Sequence, residues 1–115
     1  MSGDAGREAA FQDRLEALRR RYLERLTVLA DQAGSLAREL GRGEDPTPHR
    51  ELRRLLHSLA GTAPTYGFPE VARAAGEAMA LVDGAGGAPR FPGPGELDQG
   101  LAGLRRAVEL ARDQG

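Results

Sequence analysis

The chain contains no cysteine and no tryptophan, and all of its basic residues are arginine. Without cysteine there is no disulfide framework and no thiolate metal site. The absence of tryptophan and a content of only 4% aromatic residues argue against a platform for stacking nucleic-acid bases. Long apolar runs are missing as well: nothing approaches the ~20 residues that span a bilayer. The opening MSGDAGREAAFQDR lacks the apolar core of a signal peptide. The expectation is a soluble, cytoplasmic protein. An excess of either charge is also absent, since 16 basic residues face 17 acidic ones. That balance argues against a nucleic-acid binder, which must neutralise many phosphates. The cations that are present are permanently charged forks suited to phosphate or carboxylate.

At 115 residues the chain fits a single domain spanning residues 1–115, large enough to bury a core of its own. From Phe11 the apolar positions Leu15, Leu18, Tyr22, Leu26, Leu29, Ala33, Leu36 and Leu40 follow in steps of three and four, which only a helix gathers on one face. This predicts a long first helix, bent near Gly34, with residues 1–8 frayed. Gly41, Gly43 and the run Asp45-Pro46-Thr47-Pro48 interrupt it. Thr47 before Pro48 reads as an N-cap with proline in the first helical position. The second helix then carries Leu52, Leu55, Leu56, Leu59, Ala63 and Tyr66 inward, with Gly67 as its stop. Tyr66 and Phe68 are expected as core anchors beside that stop.

Pro69 opens a third helix bearing Val71, Ala75, Ala78, Met79 and Val82. Residues 84–95, GAGGAPRFPGPG, are rich enough in glycine and proline to predict a flexible loop. Leu97, Leu101, Leu104, Val108 and Ala111 mark a fourth amphipathic helix. No segment alternates with period two. The fold class is therefore all-α: an up-and-down four-helix bundle whose four stripes share one core. Gly34 and Gly76 are read as sites of close helix packing, and the run Arg19-Arg20-Arg21 as a solvated face.

The second helix carries the informative residue. His57 falls about 140° from the centre of the leucine stripe, on the solvent side. Arg50, Arg53, Arg54, Gly61 and Pro64 share that outer face. Gly61 lies one turn beyond His57 and costs roughly 1 kcal/mol relative to alanine in a helix interior. Its benefit is access: with no side chain there, a phosphoryl group or another backbone can approach the imidazole. The arginines are placed to hold phosphate oxygens or to meet an acidic pocket. Imidazole suits such a role because much of it is neutral and nucleophilic near physiological pH. Other catalytic equipment is lacking. His49 and His57 lie about 80° apart around the helix without a carboxylate co-ligand, so no metal site is expected. His49 reads as a helix-terminus residue without chemistry.

The segment Leu55–Gly67, LLHSLAGTAPTYG, resembles the signature of the histidine-containing phosphotransfer (HPt) domains of bacterial phosphorelays. In that pattern the histidine is followed by leucine, lysine, glycine, a small residue and a further glycine, and His57, Leu59, Gly61, Ala63 and Gly67 match. The lysine position is Ala60 here, and Pro64 is a second departure, expected to bend or end the helix. The resemblance implies that His57 is the phosphoacceptor. It implies as partners a response-regulator receiver domain, whose aspartate pocket holds Mg2+, or a sensor histidine kinase. It also implies a monomeric phosphocarrier without an ATP site, a cofactor, or nucleic-acid or membrane binding. Arg53 and Arg54 would then supply the charge missing at Ala60. Two other readings stay open: a module that binds receiver or kinase domains without phosphotransfer, and a coiled-coil assembly module suggested by the heptad-like spacing of the first helix.

Overall fold

The computed structural model describes residues 2–40, 46–84 and 88–114. Four helices follow one another: α1 Ser2–Leu40, α2 Thr47–Thr62, α3 Pro69–Val82 and α4 Pro94–Gln114, with a 3-10 turn at Ala63–Tyr66 between α2 and α3. Each packs against its neighbours in the chain and α1 closes the ring against α4, while among the described residues the diagonal pairs bring no Cα atoms within 8 Å of each other. This is the up-and-down bundle that the four stripes predict.

The core consists of Tyr22, Leu26, Ala30 and Ala33 from α1, Leu52, Leu56 and Leu59 from α2, Val71, Ala75, Ala78 and Val82 from α3, and Leu97, Leu101, Leu104, Val108 and Ala111 from α4, with Ala63 and Phe68 at the turn. The small residues of α3 let its neighbours come close. At Gly100 of α4 an added Cβ would stand 2.6 Å from Leu81 Cδ1, so α3 and α4 run close there and a larger residue would have to push the Leu81 side chain aside.

The expectation that all of the α1 stripe joins this core is corrected at its first half. Phe11, Leu15 and Leu18 are exposed, as is every residue from 4 to 21. The reason is length. A helix of 39 residues runs about 58 Å at 1.5 Å per residue, whereas the other three have 16, 14 and 21 residues. The molecule is accordingly 63 Å long against 28 and 19 Å in cross-section. Helical structure starts at Ser2, inside the stretch expected to fray, and α1 is one continuous helix through Gly34, which is buried beneath the Arg105 guanidinium. Gly76, by contrast, has nothing within 4 Å of a Cβ, so it does not serve close packing.

Helix α2 begins one residue earlier than the capping pattern suggests, with Pro46 at the N-cap and Thr47 the first helical residue. The break assigned to Gly41, Gly43 and Asp45 lies outside the described residues. Pro64 ends the α-helical ladder as expected: the chain tightens into the 3-10 turn, and Gly67 closes it with φ of +87°, its N–H donating to the Pro64 carbonyl.

The α3–α4 connection is shorter than its glycine and proline content indicates. Pro94 is the first residue of α4, a position where proline loses nothing because that N–H has no helical acceptor. Ahead of it, Arg90 N–H donates to the Val82 carbonyl and Gly84 N–H to Ala88. The Arg90 side chain adds bonds to the Leu81 carbonyl at 3.0 Å and to Glu96 at 2.8 Å. Residues 85–87 of the expected loop lie outside the described residues.

Candidate functional site

His57 stands in the third turn of α2 with its side chain exposed. Leu52, Leu56 and Leu59 turn the opposite face of that helix into the core, and this fixes the rotation of α2 and holds the imidazole outward. Arg50, Arg53, Arg54, Gly61 and Pro64 are exposed on the same side. All of the residues expected on the outer face are thus brought together there, while Ala60 is half-buried against the core.

The arginines are not equivalent. Arg53 Nε donates to Asp83 Oδ1 at 2.6 Å, which ties it to the end of α3. Arg54 lies about 60° round the helix from His57 in the other direction, and it makes no hydrogen bond or ion pair among the described residues. It lines a groove of about 510 Å³ between α1 and α2, together with Tyr22, Arg25, Leu29, Glu51 and Ser58. An open groove thus flanks His57 on the α1 side, and a neutralised ion pair flanks it on the α3 side.

Gly61, one turn beyond the histidine, has nothing within 4 Å of a built Cβ. Internal packing therefore does not require glycine at 61; its lack of a side chain is felt only by what approaches from outside.

The end of α2 is held from α1. Thr62 Oγ1 donates to the Ser58 carbonyl at 2.8 Å and accepts from the Tyr22 hydroxyl at 2.7 Å. The Tyr22 ring stacks on Tyr66 with centroids 4.2 Å apart and lies 6.0 Å from Phe68. Burial, the largest influence, pushes the Tyr22 hydroxyl above its ordinary pKa. Arg19 adds a bond from Nε to the Tyr66 carbonyl at 3.0 Å and places its guanidinium 5.1 Å from the Phe68 ring centre. This corrects the reading of Arg19 as part of a solvated face: it clamps the 3-10 turn to α1. Tyr66 and Phe68 are anchors as expected.

His49 is the one buried polar side chain of the described core. Its Nε2 lies 2.7 Å from the Val82 carbonyl and 3.1 Å from that of Arg90, and its ring faces Phe91 at 5.0 Å. Both partners are acceptors, so Nε2 carries the proton. The residue is a tether for the α3–α4 connection, which a bare helix-terminus reading missed. The signal was present in the spacing: His49 precedes Leu52 by three and Leu56 by seven, which sets it on the inward stripe. Asp83, the partner of Arg53, had no such signal.

No group of three or more His, Asp or Glu side chains among the described residues is placed to hold a metal ion, and no described helix is long and apolar enough to cross a membrane. No curated protein and no solved structure shows significant similarity to the chain. A family model for the Hpt domain does match, over residues 10–113. That range takes in all of the His57 face and most of each helix, and the chain belongs to the Hpt domain family.

Proposed function

We propose that His57 accepts a phosphoryl group from the aspartyl phosphate of one response-regulator receiver domain and passes it to the aspartate of another. As an Hpt domain the chain is a phosphotransfer module of two-component signalling; the assignment to His57 is supported above all by its exposure on the outer face of α2 beside the open position at Gly61. In the forward step the lone pair of an imidazole nitrogen attacks phosphorus, the bond from phosphorus to the donor carboxylate oxygen breaks, and the carboxylate leaves. Arg54 is the cation proposed to meet the phosphoryl oxygens, in place of the family's lysine. Arg50, two turns before His57, is proposed to face acidic groups of the partner, and Pro64 to mark the far edge of the docking face. Mg2+ belongs to the receiver's pocket, and the module itself uses no cofactor. It carries the group without being an enzyme, acts in the cytoplasm, and works as a monomer without nucleic acid or membrane.

Incubation with phosphoramidate, followed by intact mass, tests the assignment. One added phosphoryl, absent in His57→Gln, supports it. Half-buried Ala60 at the lysine position favours a second reading, in which the module binds receivers without chemistry. Receiver binding that persists in His57→Gln, together with no adduct on the intact protein, would select that reading.

A further inference from the structure

The first half of α1 projects beyond the bundle as an arm with a patterned surface. Phe11, Leu15 and Leu18, exposed at 56%, 39% and 47%, continue the line of Tyr22, so the arm presents an apolar stripe in register with the core stripe. Along one edge run Arg7, Arg14 and Arg21, spaced seven apart and all exposed. At that spacing a residue drifts only about 20° per step, and all three stay within about 40° to 80° of Phe11. None makes an ion pair or hydrogen bond among the described residues. The opposite edge carries Glu8 and Gln12, and then Arg19, which is already bonded to Tyr66.

An isolated helical arm of this length is marginal in water, and helices in proteins draw most of their stability from a packed face. Its stripe asks for a cover, and the charges say which kind. A second copy packed antiparallel would set the arginine edge against itself, with Arg14 facing its own counterpart. Packed parallel, it would bring Arg14 against Arg19. Like charges at these flanking positions disfavour pairing. A bilayer is a poor match too, because the arm carries Asp4, Glu8, Asp13 and Glu16 among its five arginines, a net charge of +1.

We infer that the arm of α1 docks an acidic amphipathic helix of a partner protein, with leucine-type side chains over Phe11, Leu15 and Leu18 and carboxylates opposite Arg7, Arg14 and Arg21. The site lies on α1, whereas His57 is on α2, and docking there does not depend on phosphotransfer.

The test uses the full chain and two labelled synthetic helices with the same leucine stripe. One carries glutamates at seven-residue spacing on the flank, and its twin carries lysines there. Fluorescence anisotropy should show the glutamate helix binding about tenfold tighter than its twin, the scale of a few exposed ion pairs gained against as many repulsions. The preference should shrink at high salt and invert in the triple variant Arg7→Glu/Arg14→Glu/Arg21→Glu. Leu15→Glu should abolish binding, and His57→Gln should leave it unchanged. Both variants of the arm alter exposed residues, so the bundle's thermal unfolding serves as a check on folding. Equal binding of the two helices, or no binding of either, overturns the inference. So does dimerisation of the free chain that Leu15→Glu abolishes, or binding to phosphatidylserine vesicles in preference to the glutamate helix.

Discussion

The Nε atom of Arg53 lies 2.6 Å from Oδ1 of Asp83, and this pair divides the basic face of α2 into one cation that is already neutralised and two, Arg50 and Arg54, that are not, with Arg54 the nearer of these to His57 along the chain. Arg53→Ala should therefore act mainly on stability. Both partners are partly exposed, so the loss is no more than about 1 kcal/mol. Arg54→Ala should leave thermal unfolding unchanged and slow phosphoryl transfer to or from a receiver by about tenfold, the effect of one charge-assisted contact. Stopped transfer assays beside melting curves separate the two. Equal slowing in both variants would mean that Arg53 leaves Asp83 on docking.

Gly61→Ala should stabilise the fold while impairing the site. A Cβ there meets nothing within 4 Å, and alanine is favoured over glycine inside a helix by up to about 1 kcal/mol. The melting temperature is expected to rise and the transfer rate from a receiver to fall. Chemical labelling by a small donor should change much less, because only a bulky partner needs the space.

His49→Ala should cost about 2–3 kcal/mol. The substitution removes a buried ring and leaves the Val82 and Arg90 carbonyls without their imidazole donor. Urea unfolding measures the loss, and amide exchange at Arg90 should quicken with it, since its N–H donates to the same Val82 carbonyl. Labelling of His57 should survive wherever the variant is folded.

Tyr22 predicts a limit on the alkaline side. Its hydroxyl is raised above the ordinary value of 10.0 by burial, so the folded chain retains a proton that the unfolded chain releases. Stability is then full below about pH 10 and falls as pH climbs from there through the folded pKa. Tyr22→Phe should remove this part of the alkaline slope, at a cost of about 1 kcal/mol near neutrality for the lost bond to Thr62.

The helices, their inward faces and the exposure of His57 were legible in the sequence because each depends on spacing along one segment. Leu52, Leu56 and Leu59 fix which way α2 faces, and the rotation of His57 follows from 3.6 residues per turn. What stayed hidden depends on partners far along the chain. Asp83 meets Arg53 across 30 residues and Arg19 meets Tyr66 across 47. Nothing local to either arginine distinguishes it from its neighbours. The arm of α1 is a different case: periodicity reports that Phe11, Leu15 and Leu18 share a face, but it does not say whether another helix is long enough to cover it.

Transfer from a phosphorylated receiver domain, followed by site mapping, bears most directly on the role of His57. The account predicts loss of the receiver's aspartyl phosphate with a matching gain of one acid-labile, alkali-stable phosphoryl on His57, none on buried His49, and none at all in His57→Gln. A folded chain that binds the receiver yet leaves its aspartyl phosphate in place, or one that carries the label at a residue other than His57, would contradict it.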